Sequence, residues 1–309
     1  MEGDYRPRRT CLSVPASSER FLANARDLPV DEIMLDLEDS VAPAAKDAAR
    51  HLAVGALRGP LRAVDDRLIA VRVNDATTQW AHRDVISVVE GAGHAIDVIM
   101  LPKVCDPAHV VWLDLLLGQA EQAAGLPLGR IMIEAQIEDA AGLRAAEAIA
   151  VASRRLAALV FGPGDFAASI GMRSLTVGGP PAGYAADAYH YALMRILVAA
   201  RAAGLQAIDG PYSRIGDIEG LRAAAVSSAA LGFDGKWVLH PSQVDVVNEA
   251  FTPSADDFER AVGILDAYGR ATGDERRGAV MFGGEMIDEA TRKMALAVAA
   301  KGRAAGLSP

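Results

Sequence analysis

The chain has 309 residues, 51% of them hydrophobic, and carries 31 Lys and Arg against 40 Asp and Glu, for a formal net charge of −9. That length can bury a large core, with room for one domain of barrel size and an extension. An acidic balance with no offsetting cluster of Lys and Arg excludes nucleic acid as a partner, although a few local cations suffice for a phosphorylated ligand. Cys11 and Cys105 have neither metal-ligand spacing nor a disulfide framework, the segment MEGDYRPRRT lacks an apolar core, and apolar runs stop well short of the roughly 20 residues of a membrane helix. The expectation is a reduced, cytoplasmic protein without a membrane partner.

Taken in chain order, eight short apolar runs recur at 10–15, 32–39, 68–74, 98–104, 130–137, 156–163, 206–212 and 236–241. Most are continuous rather than alternating, as strands covered on both faces require. Between them lie Ala-, Leu- and Arg-rich stretches of helical period, among them 42–57, 80–90, 108–124, 184–203 and 217–230. Eight strand–helix repeats predict a (β/α)8 barrel over residues 1–245. No GxGxxG follows the first strand, which counts against an open dinucleotide-binding sheet. Two stretches exceed the minimal barrel. One is the Gly- and Pro-rich loop 172–183, on the side where loops shape active sites. The other is a C-terminal helical extension, 246–309, with Ser254 capping a helix, a Gly-rich link at 278–284 and a last helix at 289–303.

In a barrel of parallel strands all downstream strand ends open onto one face, so polar residues there converge. Glu134 in RIMIEAQI and Asp165 in LAALVFGPGD are the metal candidates, because Mg2+ takes few protein carboxylates and leaves positions for substrate oxygens. Either could instead cap a helix or pair with an Arg. Arg72 is a cation in the apolar run LIAVRVN and needs an anionic partner: a substrate, or Glu38 or Glu134 within the barrel. LDLEDSV sets Asp36, Glu38 and Asp39 within four residues, with strand alternation turning Asp36 and Glu38 to one side. Lys103 ends MLPKV and His240 ends VLHP; a Schiff-base role for Lys103 requires a lowered pKa, and His240 is read as structural.

The motifs LSVPASSERF, MLDLEDSVAPAAKDAAR, VRVN, LPKV, IEAQIEDAAGL, FGPGDFAASIGM, IDGPYSRIGDIEGLRAAAVSSAALGFDGKWVLHPSQV and MIDEATRKMA together resemble the citrate lyase β-subunit-like branch of the HpcH/HpaI aldolase superfamily. Within it the chain is most similar to the malyl-CoA and β-methylmalyl-CoA lyases. The resemblance runs through the whole chain and implies a TIM barrel using Mg2+ to make or break a carbon–carbon bond, with a CoA thioester and a 2-oxo acid as small-molecule partners. It implies Glu134 and Asp165 as metal ligands and Arg72 as the oxo-acid contact. Glu38 and Asp39 would hold metal-bound waters. Asp288 would be an acid/base residue reaching a neighbouring subunit's site, in a homotrimer or homohexamer. Arg20 is the candidate for a CoA phosphate contact, and Lys103 for a further substrate contact. Two departures stand out. Pro15-Ala16-Ser17 replaces the frequent Pro-Gly-Ser, and Asp39 stands where the hydroxy-aldehyde aldolases carry His. Cleavage of citramalyl-CoA, a citrate lyase β-type reaction, malyl-CoA hydrolysis and mere CoA-ester binding are the competing expectations.

Overall fold

The computed structural model describes residues 5–59, 61, 67–184, 187–273 and 278–308. The strands are β1 Thr10–Pro15, β2 Glu32–Asp36, β3 Leu68–Arg72, β4 Val98–Leu101, β5 Met132–Ile137, β6 Leu156–Phe161, β7 Gln206–Asp209 and β8 Gly235–Val238. Each pairs in parallel with the next, and β8 pairs with β1, so the sheet closes into an eight-stranded barrel. Helices follow in sequence: α1 Glu19–Ala25, α2 Lys46–Arg58, α3 Ala81–Ala92, α4 Pro107–Ala123, α5 Ala140–Ala150, α6 Pro163–Ser169, α7 His190–Ala202, α8 Ile218–Leu231 and α9 Val244–Phe251. This is the TIM-barrel architecture expected from the strand–helix repeat.

Side chains of alternate strand residues form two cores. Cys11, Met34, Ala70, Met100, Val160 and Trp237 pack together from different strands to fill the barrel. Their neighbours Leu12, Ile33, Leu35, Val71 and Ile99 are equally buried, beneath the helices. The apolar runs outlast the strands because Leu37, Val73 and Val104 remain buried after the hydrogen-bonded ladders end. The helix expected over 184–203 begins only at His190. Asp187 accepts the Tyr189 N–H at 2.9 Å and shapes a turn there, while 185–186 fall outside the described residues.

By internal contacts the chain forms two compact units, one of Arg8–Glu249 and one from Ala250 onward with the chain preceding Arg8. The second contains α10 Ala255–Gly273, β9 Val280–Phe282, β10 Glu285–Ile287 and α11 Glu289–Ala304. The stretch expected as a Gly-rich link is thus a β-hairpin. Gly283 and Gly284 form its two-residue turn with φ of 56° and 83°, the left-handed pair that matches the twist of the flanking strands. Phe258, Ile264, Tyr268, Ile287, Ala295 and Ala299 make a separate core for this unit. No helix among the described residues is long and apolar enough to cross a membrane.

Candidate active site at the barrel rim

Parallel pairing of β2 with β3 sets Asp36 opposite Arg72, each the last residue of its strand. Arg72 donates Nε to Asp36 Oδ1 at 2.8 Å and a terminal nitrogen to Oδ2 at 2.7 Å, a two-pronged pair. Its other terminal nitrogen lies 3.0 Å from Glu38 Oε2, and the guanidinium stacks 4.8 Å from the Trp237 ring centre. Burial is the largest single influence on the Asp36 carboxyl and pushes it up, but the Arg72 charge and the hydrogen bonds from Arg72, Ser40 and the Glu38 N–H together hold it below its ordinary value. Glu38 is shifted upward: its burial dominates over the attraction of Arg72 and Lys103. The internal partners of Arg72 are therefore Asp36 and Glu38, and not Glu134.

Lys103 follows β4 with φ of 53°, the only non-glycine residue of positive φ among those described. A left-handed lysine costs about 1–2 kcal/mol and persists only when its surroundings hold it. Here the backbone N–H donates to Glu138 Oε1 at 2.7 Å, and Nζ bonds Glu38 and lies 3.3 Å from Asp39 and 3.6 Å from Asp165. Burial lowers its affinity for a proton, yet the surrounding carboxylates raise it overall, Glu38 foremost. The ion pairs with Glu38, Asp39 and Asp165 favour the protonated ammonium, the opposite of the lowered pKa that a Schiff-base lysine requires.

Glu138, one residue past β5, is the group the sequence reading passed over. Its carboxylate is buried and accepts Gln136 Nε2 at 2.6 Å as well as the Lys103 N–H. Burial, then the negative charges of Glu38 and Asp165, push it up to about 8. Glu138, Asp165, Lys103, Asp75 and Thr77 line one cavity of about 310 Å³. An adjoining cavity of about 360 Å³ shares Lys103 and Asp75 and adds Glu38, Asp39 and Trp80. A larger one, about 450 Å³, lies between α7 and α8 and holds none of these carboxylates.

Glu134 lies elsewhere. It is the third residue of β5, four positions before Glu138, or about 13 Å along the strand. Its carboxylate is fully buried 2.8 Å from Arg8 Nε, which also lies 3.2 Å from Glu32. The expected pairing of Glu134 with Asp165 is corrected accordingly: the structure groups Glu134 with Arg8 and Glu32 inside the barrel, and Glu138 with Asp165 at the rim. The sequence did hold the signal, because Glu138 is the first charged residue after the apolar run, whereas Glu134 sits within it.

Of the remaining expected residues, Glu38 and Asp39 join the rim cluster, Glu38 buried and Asp39 exposed. Arg20 is exposed, with its guanidinium 5.0 Å above Phe21. Asp288 belongs to the second unit, where it is exposed and caps α11 by accepting the Thr291 N–H at 3.1 Å. That bond, first among its influences, holds Asp288 below its ordinary value. His240 caps the 3-10 turn Pro241–Gln243, as its structural reading expected.

Behind the rim, Lys46 Nζ donates to the Leu37 and Glu38 carbonyls at 2.8 and 2.7 Å. Asn74 bonds the Leu37 carbonyl and Asp84, and Asp84 in turn accepts Arg50 Nε at 2.6 Å. These bonds tie the loops after β2 and β3 together and fix the direction of Glu38. Among the described residues, no group of three or more His, Cys, Asp and Glu is arranged to hold a metal. Two rim carboxylates beside a cavity are the donor set that suits Mg2+, whose other positions go to water and substrate oxygens.

Residues 9–241 match the HpcH/HpaI aldolase/citrate lyase family. The L-malyl-CoA/beta-methylmalyl-CoA lyase of Rhodobacter capsulatus is 39% identical over 294 residues, covering 92% of this chain and 89% of that protein. The citrate lyase subunit beta of Haemophilus influenzae is 36% identical over 283 residues, covering 91% and 92%. The crystal structure of CitE from Mycobacterium tuberculosis in complex with magnesium, acetoacetate and coenzyme A superposes with a TM-score of 0.74 at 30% identity, covering 98% of this chain and 99% of that one. With a family match across the whole barrel and relatives aligned over nearly all of both chains, the protein belongs to the HpcH/HpaI aldolase/citrate lyase family and is a carbon–carbon lyase.

Proposed function

We propose that this protein reversibly cleaves L-malyl-CoA, or its β-methyl homologue, to glyoxylate and acetyl-CoA or propionyl-CoA, and that Glu138 and Asp165 hold Mg2+ for the reaction. The observation carrying the site assignment is the meeting of Glu138, Asp165, Lys103 and Glu38 at one rim, with Arg72 alongside. The substrate assignment is supported by the 39% identity to malyl-CoA lyases over almost the whole chain. Bound there, Mg2+ would supply Lewis acidity toward the oxo acid's carbonyl and carboxylate oxygens.

The chain's own residues do the rest. In the condensing direction a base takes a proton from the acyl-CoA α-carbon, and the enolate forms the new bond to the glyoxylate carbonyl carbon. That carbonyl oxygen gains the electron pair and is then protonated; cleavage reverses each step. Asp288 of a neighbouring copy is the base assigned here, an exposed carboxylate at the start of α11. Arg72 and Lys103 bring fixed positive charge to the oxygens on which negative charge develops. Their anionic neighbours hold both in place before substrate arrives. With a cation bound, Glu38 and Asp39 would accept hydrogen bonds from its waters, and Arg20 would contact a CoA phosphate. The protein works as a homotrimer or homohexamer in the cytoplasm.

The test is to incubate the protein with Mg2+, glyoxylate and either acetyl-CoA or propionyl-CoA, following products by mass, with pyruvate in a parallel tube. A new hydroxyacyl-CoA from glyoxylate, lost on adding EDTA, is the expected result. Product from pyruvate alone would move the assignment to citramalyl-CoA. Free malate with free CoA would indicate thioesterase or synthase-like activity, and no product in any tube would refute the malyl-CoA lyase reading in favour of a carrier-dependent subunit or a CoA-ester-binding role.

A further inference from the structure

The carboxylates at the rim divide into two kinds by what holds them. Asp36 and Glu38 are ion-paired with Arg72, and Glu38, Asp39 and Asp165 with Lys103. Glu138 is different. Its hydrogen bonds come from two electrically neutral donors, the Lys103 backbone N–H on Oε1 and the Gln136 side-chain amide on Oε2. Gln136 is as buried as Glu138 and lies two residues earlier on β5, on the same face of the strand. Its amide is turned so that nitrogen faces the carboxylate. The Oε1 atom is then left buried with no hydrogen-bond partner, an arrangement the alternative amide orientation would not improve, since it sets acceptor against acceptor. The packing leaves the pair no slack. A Cβ added at Gly162 would collide with the Glu138 side chain and press on Gln136 Nε2 at 3.0 Å.

We propose that Gln136 is a positioning residue for cation binding: its buried amide fixes the direction of the Glu138 carboxyl group while bringing no charge of its own, so that a divalent metal meets an oriented oxygen donor with no bonded cation to displace. The inference rests on the reading of Glu138 and Asp165 as the Mg2+ pair and assigns a role to a residue that the reading does not use. A cationic partner in the same place would compete with the metal for Glu138. An apolar one would leave Oε2 without its donor and the carboxylate free to turn toward Lys103 Nζ. Groups that orient a metal ligand typically carry a 10- to 100-fold effect on metal affinity when removed.

Calorimetric titration of the full-length protein with Mg2+ tests this, comparing wild type with Gln136→Met, which keeps the length and removes the donor. The expected result is a dissociation constant raised about 10- to 100-fold, an unshifted melting temperature without metal, and turnover recovered at high Mg2+. Equal affinity in the two proteins would overturn the role of Gln136 while leaving the Glu138 and Asp165 assignment standing. Absence of Mg2+ binding to the wild type would instead remove that assignment, and this inference with it. If Gln136→Met melts early, a cycle with Glu138→Gln decides, using Mn2+ and its electron paramagnetic signal. Once Glu138 is neutral, removing the amide should add no further loss, and a fully additive loss would refute the proposal.

Discussion

Replacing Glu138 and Glu134 separately by Gln should have opposite consequences, and the geometry sets how far apart they fall. Glu138 touches the rim cavity beside Asp165. On the proposed assignment, its loss would take one of two carboxylate donors from a divalent cation, an attraction of up to about 8 kcal/mol at 4 Å and an effective dielectric near 20 for an ionised donor. Even with most of that offset by desolvation, at least about 2.7 kcal/mol should remain, or 100-fold in Mg2+ affinity. Glu134 is about 13 Å farther along the strand, where the same arithmetic allows about 2.6 kcal/mol before compensation. Arg8, 2.8 Å away, cancels most of it. Under about 1 kcal/mol should survive, less than roughly fivefold in affinity. Glu134→Gln also leaves Arg8 and Glu32 as a one-to-one pair, so its stability should stay within about 1–2 kcal/mol of wild type. Mg2+ calorimetry and turnover on both variants make the comparison. A Glu134→Gln protein that loses Mg2+ binding while Glu138→Gln retains it would refute the assignment.

Three further outcomes follow from the same contacts. Arg8→Met should destabilise the protein by about 3–5 kcal/mol, seen as a lowered denaturation midpoint, because Glu32 and Glu134 would remain buried without their cation. An unchanged midpoint would show that the cluster does not carry these charges. Burial and then Glu134 raise Glu32 well above the usual carboxylate range. The folded protein therefore binds a proton there that the unfolded chain releases first, and this contribution is complete below the unfolded value near 4.5 and declines as pH rises toward the folded one. Glu32→Gln mimics the protonated form, so denaturation at a series of pH values should show a flatter decline on the alkaline side; an identical profile would exclude Glu32 as its source. Asp288→Ala should lower turnover by about 100-fold or more with Mg2+ affinity unchanged, and full activity in that variant would remove Asp288 from the mechanism.

Much of the barrel was legible in the chain because a strand buried on both faces has to be apolar along its whole length. All eight runs became strands, and β1 has the expected limits. Loss of apolar character also marks where a strand meets the rim, which is why Arg72, Lys103 and Asp165 were found from sequence and do meet there. The hairpin at 280–287 was hidden because each of its strands has three residues, too few to show a period, and its Gly-Gly turn reads equally as a linker.

Composition and periodicity alone pointed to the closed parallel barrel and the helical extension, and to the rim as the place where polar residues converge, since these depend on which residues must leave water. Which carboxylate serves which purpose was decided only by tertiary structure. Glu134 and Glu138 share a strand face and a side-chain type, and nothing in one dimension tells them apart reliably. Arg8, brought from before β1 into the barrel interior, claims Glu134. The left-handed turn at Lys103 and the amide of Gln136 hold Glu138 at the rim through hydrogen bonds from neutral donors. A carboxylate's role is set by the charges and donors within a few ångströms of it, and those neighbours come from strands far apart in the chain.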